Sequence, residues 1–153
     1  MAKISTIILM EQPEQQVMSI RTTINMKDLA DVAGQIYGKI MAHLAKTGEL
    51  AAGAPFTCYY NDDLNNLDVE MGFPVARSLQ GNDEITARTI PAQRVITGLD
   101  LGPYRESDPL FFEMMKWLKD NEYEAQGTIY NYYLNDQNRP ESELLTKIVI
   151  PVK

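Results

Sequence analysis

The sequence predicts an α+β fold made by duplication, in which a strand-helix-strand-strand unit is written twice and gives an antiparallel sheet with two helices flanking a central ligand cleft. Three observations predict it. Two helical periodicities are each followed by a pair of strand-like runs. Each is preceded by a β-rich segment broken at a proline. Short blocks of residues recur in the same order in the two halves. The whole is read as one domain over 1–153, with a first repeat at about 1–80 and a second at about 83–153.

Residues 4–9 and 15–24, rich in Ile, Val and Thr, flank the turn-forming Gln12-Pro13-Glu14 and read as two antiparallel strands. Asn25 caps a helix whose buried face is Leu29, Val32, Ala33, Ile36, Tyr37, Ile40, Met41 and Leu44, with Asp28 in its first turn and Gly48 past its end. After the small-residue loop 51–55, runs 56–60 and 67–76 form a hairpin across the polar Asn61-Asp62-Asp63. Runs 85–90 and 94–99, broken at Pro91, repeat the opening pair. Asp108 and Pro109 supply an N-cap and a favoured first helical residue for a second helix to about Asn121, with Phe111, Met114, Met115 and Leu118 inward. Strands at 127–134 and 144–152 finish the chain.

The halves align by residue as well as by element. Pro13, Gln15 and Val17 match Pro91, Gln93 and Val95. Tyr59, Tyr60 and Asp63 match Tyr132, Tyr133 and Asp136. Phe73-Pro74-Val75 matches Ile150-Pro151-Val152. The last match places Lys147 at the position of Glu70.

Composition narrows the function. At 153 residues the chain is long enough to bury roughly two-thirds of its unfolded surface without disulfide or metal staples. One cysteine, Cys58, and one histidine cannot make an internal bridge or a zinc site, so no metal or cofactor is expected and a reducing cytoplasm is the natural setting. The apolar start is interrupted by Glu11 and Pro13, too early for a signal-peptide core or a membrane span. A formal charge of −7 with no basic cluster opposes direct nucleic-acid binding. Nucleophile-elbow, phosphate-loop, dinucleotide and zinc-protease signatures are all missing. His43, off the buried stripe, reads as an exposed structural histidine, and Trp117, one step from the inward stripe of the second helix, as core or rim.

The aromatics and two charges carry the functional reading. Six of the eight tyrosines (59, 60, 104, 130, 132 and 133) fall in or near the hairpins and the second helix entry. A ring with an apolar face and a polar tip suits a cleft for flat apolar or cationic ligands, although sheet packing also accounts for such residues. Strand alternation puts Tyr130 and Tyr132 on one face and Tyr133 on the other. Asp68 and Glu70 share a face, which a solvated sheet surface explains; in the functional alternative Glu70 looks into the cleft as counter-charge or proton carrier.

Gly102-Pro103-Tyr104, Tyr133-Leu134-Asn135-Asp136, Gly72-Phe73-Pro74-Val75 and the closing Ile148-Val149-Ile150-Pro151-Val152 together resemble the gyrase-inhibitor-like family, the bacterial effector-binding domain, over essentially the whole chain. The resemblance implies a duplicated fold whose cleft binds small hydrophobic, often cationic molecules. It implies a stand-alone form, since no helix-turn-helix domain is joined to it. The family's pocket glutamate lies in a Thr-Glu-Ile stretch, where this sequence has Thr146-Lys147-Ile148. Glu70 can compensate by pairing with Lys147, and the exchange suits an anionic or neutral amphipathic ligand. The expected ligand-binding residues are Tyr60, Glu70, Phe73, Tyr104, Phe112, Tyr133 and Lys147. Two alternatives follow from the same resemblance: a hydrolase of strained electrophiles such as cyclopropanoids, with Glu70 as acid or base and Tyr133 or Tyr104 assisting, and a protein-interaction module of the gyrase-inhibitor type.

Overall fold

The computed structural model describes residues 2–103, 108–135 and 138–153. Its strands are β1 (Ala2–Lys3), β2 (Ile8–Gln12), β3 (Gln15–Ile24), β4 (Phe56–Tyr59), β5 (Leu67–Val75), β6 (Thr86–Ile90), β7 (Gln93–Leu101), β8 (Ile129–Tyr133) and β9 (Leu145–Pro151), with helices α1 (Leu29–Thr47) and α2 (Asp108–Asp120). The expected strands and helices are present in mostly antiparallel α+β form, with boundaries shifted by a few residues. Contacts group the chain into two compact units, Pro13–Ala92 and Met1–Gln12 with Gln93–Lys153.

In the unit 13–92, β3 is flanked by β5 and β6, and β4 lies outside β5, all antiparallel. The Asn25 side chain accepts the Lys27 amide at 3.1 Å, opening a single 3-10 turn that runs into α1. The helix stops at Gly48, whose φ of 74° lets its own amide and that of Glu49 turn back onto the carbonyls of Ala45 and Leu44. The amphipathic stripe puts Ile36, Ile40 and Leu44 against Leu67, Val69, Met71, Phe73 and Val75 of β5 and Met18 of β3. Full burial of each such side chain is worth about 1.5–3 kcal/mol, which secures this face. Met41, expected inward, is instead exposed, because it sits at the edge of the apolar arc rather than over the sheet.

In the other unit, β7 is flanked by β9 on one side and by β1 and β2 on the other, with β8 outside β9. Helix α2 places Leu110, Met114 and Leu118 on Ile96, Ile148, Ile150 and Val152, with Leu9 and Trp117 packed at the margin. Leu110 was not among the expected inward residues, and Met115, which was, is exposed. Asp108 begins the helix, but its side chain, and with it the expected cap, lies outside the described residues.

One expected pairing is overturned. The segments either side of Pro13 do not pair with each other: β2 pairs with β7 and β6 pairs with β3. With so few residues between β2 and β3, the proline between them redirects the chain instead of closing a hairpin. In the two hairpins Cys58 and Tyr59 face Glu70 and Val69, and Tyr132 and Tyr133 face Lys147 and Thr146. No helix among the described residues is long and apolar enough to cross a membrane.

Candidate ligand-binding site

Alternation along β5 sends Val69, Met71 and Phe73 to α1 and Asp68 and Glu70 to the opposite face. Glu70 is only 2% exposed, and a carboxylate so placed demands partners. Four hydrogen bonds meet it. Ser19 Oγ donates to Oε2 at 2.5 Å, Tyr60 OH to Oε1 at 2.6 Å, and Arg88 closes a fork with Nε to Oε2 at 2.9 Å and Nη2 to Oε1 at 2.7 Å. Arg88 starts from β6 and reaches over β3 to arrive on β5, two strand spacings or about 9.5 Å away. Ser19 can lean toward Glu70 because its cross-strand neighbour is Gly72. A Cβ there would lie 2.8 Å from the Ser19 Cβ and 2.3 Å from the Met18 carbonyl oxygen.

A second pair adjoins the first. Arg21 holds Asp68 with two hydrogen bonds, Nε to Oδ1 at 2.9 Å and Nη2 to Oδ2 at 2.8 Å, and its guanidinium stands 3.6 Å above the centre of the Tyr60 ring. The four charged side chains sum to zero.

Burial pushes the Glu70 carboxyl toward protonation, but hydrogen bonds from Arg88, Ser19 and Tyr60 outweigh it and hold the group below the ordinary glutamate value of 4.5. Burial and the bond to Glu70 drive the Tyr60 hydroxyl well above the usual phenol range, so it stays a donor. The hydrogen bond from Arg21 holds Asp68 low. An ionised carboxylate with all four lone-pair directions taken is a poor general base for a water.

Of the seven expected residues, the structure brings Tyr60 and Glu70 together. Phe73 lies under α1 on the other face, edge-on to Tyr37 at 5.4 Å. Tyr104 lies outside the described residues. Phe112 is 65% exposed on α2 and touches Phe111. On β9, Lys147 stands on the face opposite α2, its ammonium 6.0 Å from the Tyr132 ring centre, whereas Tyr133 sits opposite Thr146 on the α2 side. Tyr130 and Tyr132 share a face and stack at 6.2 Å, as alternation requires. The ion-pair partner of Glu70 is Arg88, not the expected Lys147. Ser19, Arg21 and Arg88 were missed. The alternation of β3 carries a signal for the first two, while Arg88 depends on a strand pairing that the sequence does not announce.

His43, half-buried, meets the Gln80 carbonyl through Nε2 at 2.9 Å and the Asn82 amide through Nδ1 at 3.4 Å, which anchors the loop before β6 to α1. The depression beside it lies between α1 and the loop before β6, lined by Lys39, Lys46, Asn82 and Glu84. No cluster of potential metal ligands occurs among the described residues.

A family model for the GyrI-like small molecule binding domain matches residues 5–153. The chain belongs to this family. Solved structures agree on the fold. The GyrI-like chain superposes on the EcmrR C-terminal domain with a TM-score of 0.81 at 21% identity, covering 100% of this chain and 99% of that one. It matches EcmrR in a DNA complex with a TM-score of 0.84 at 24% identity, covering 97% of this chain but only 57% of EcmrR. A hydrolase from Listeria innocua gives 0.73 at 9% identity, with coverage of 96% and 91%. The protein SAV2435, bound to tetraphenylphosphonium, gives 0.64 at 9% identity, with coverage of 97% and 94%. At these identities the likeness is one of fold. No curated protein matches the GyrI-like chain in sequence.

Proposed function

We propose that this GyrI-like domain binds a small hydrophobic or amphipathic molecule, to sense or sequester it, on a scaffold made of two copies of one strand-helix-strand-strand unit. The observation that carries the binding reading is the family match over 5–153. SAV2435, a structural neighbour, holds an organic cation, and EcmrR, another, acts with DNA, so ligand-dependent regulation is within reach of the fold.

Parallel registers support duplication. Val17 faces Pro74 as Val95 faces Pro151, and Ala51 bridges Val75 as Ala125 bridges Val152. The Ala52 amide donates to the Pro74 carbonyl at 2.8 Å as that of Gln126 does to Pro151 at 2.9 Å. Glu70 and Lys147 then hold equivalent places, each on the sheet face away from its helix. Tyr60 and Glu70 are proposed as ligand-contacting residues of the unit 13–92 and Lys147 as one of the other unit, each on its own unit's face.

The saturated state of Glu70 favours binding over hydrolysis, because a catalytic acid or base needs a free lone pair or an exchangeable proton near neutral pH. Calorimetric titration with tetraphenylphosphonium, dodecanoate and a neutral planar dye tests the proposal. Saturable binding of at least one compound well below millimolar is expected, and a flat response to all of them would overturn it.

A further inference from the structure

The geometry points to an anionic amphiphile as the ligand class, its carboxylate head on Lys147 and its apolar body along Leu99 and the exposed Ile4, Ile8 and Met10 of the adjoining edge. This rests on the binding function proposed above and adds its charge.

In the unit 13–92, negative charge is spoken for: Glu70 accepts four hydrogen bonds and Asp68 is held by Arg21. A cation arriving on that face would have to displace a guanidinium from a fork whose paired geometry is the strongest such a group makes. The other unit inverts the arrangement. Lys147 stands where Glu70 stands, and Met10, facing Val95, stands where Arg88, facing Val17, stands. Among the described residues Lys147 makes no ion pair, and its ammonium is left over the Tyr132 ring.

What surrounds it is apolar and partly open to solvent. Leu99 and Tyr132 flank Lys147 in register, while Val95, Thr97 and Val149 farther along the same face are buried. On β2, Ile8 is 48% and Met10 36% exposed on this side, and Ile4, whose amide donates to the Leu99 carbonyl, is 48% exposed. One half-buried ammonium at the end of an apolar strip matches a molecule with one negative head and an apolar tail. The net charge of −7 repels anions at long range, but that repulsion is screened beyond about 8 Å in physiological salt, whereas the Lys147 contact acts within it.

The test is calorimetric titration of the whole chain with dodecanoate, dodecanol and dodecyltrimethylammonium, each below its micelle concentration, repeated on Lys147→Met and Lys147→Arg. Wild type is expected to bind dodecanoate most tightly. Lys147→Met should weaken dodecanoate about tenfold while dodecanol stays within about twofold, and Lys147→Arg should restore the anion preference. Equal affinity of wild type for the cation and the anion, or dodecanoate binding untouched by Lys147→Met in a variant with unchanged thermal midpoint, would overturn the anion inference and leave the binding function standing. Failure of all three amphiphiles on wild type overturns the anion inference, and failure of tetraphenylphosphonium and the planar dye as well overturns the binding function. Sedimentation with phosphatidylglycerol vesicles without binding of monomeric dodecanoate would assign the face to a membrane surface and sink the proposal.

Discussion

At the scale of the residue, Glu70 and Arg88 decide the chemistry. Removing one member of a buried pair strands the other charge, so Arg88→Met should cost about 2–3 kcal/mol, below the fully buried range because the Arg88 side chain is still 31% exposed. Urea denaturation measures this, and combining it with Glu70→Gln should give a loss well short of the sum of the two single losses. The same pair sets a pH dependence. A carboxyl whose folded pKa is depressed binds fewer protons folded than unfolded, so its stabilisation is complete above the unfolded value and drains away as pH falls through the folded one. Stability should therefore decline progressively below about pH 4.5, and Glu70→Gln should flatten that decline. Half of this cluster was legible. Alternation in Asp68-Val69-Glu70 placed both acids on one face and Tyr60 was singled out, but the expectation of a solvated surface was wrong for Glu70. Nothing local to residue 88 says that its side chain crosses β3.

At the scale of the element, glycines mark where backbones and helices come close. A Cβ at Gly72 would lie 2.3 Å from the Met18 carbonyl oxygen, a backbone atom that cannot yield, whereas at Gly98 it would meet the flexible tip of Leu110 at 3.1 Å. Gly72→Ala should destabilise by more than about 2 kcal/mol and loosen Ser19 from Glu70, and Gly98→Ala by about 1 kcal/mol or less, readable as the difference between their thermal midpoints. Helix α1 was legible almost to the residue because its periodic face, its Asn25 entry and its Gly48 exit agree with one another. Strand partners were not, since a strand's sequence records which face is buried but not which neighbour supplies its hydrogen bonds. That is why β2 and β6 were matched to the wrong strands.

At the scale of the whole molecule, the strand pairing ties residues 2–12 to β7 rather than to β3, so the opening segment is structural for the C-terminal half. Leu9 packs under α2, and Leu9→Ala should lower protection of β7 and β9 amides by hydrogen exchange while leaving β3 and β5 amides unchanged. Repeated blocks of sequence made the α+β class and the family legible, because order and spacing survive where single motifs are weak. The proposed charge preference rests on two features, of which the sequence carries one: Lys147 could be read, but the neutralisation of Glu70 by Arg88 could not. The central claim is that this GyrI-like domain takes up a small amphipathic molecule. A calorimetric titration of the purified chain with amphiphiles of each charge tests it most directly. The account predicts one saturable heat well below millimolar, and the absence of saturation with every compound would contradict it.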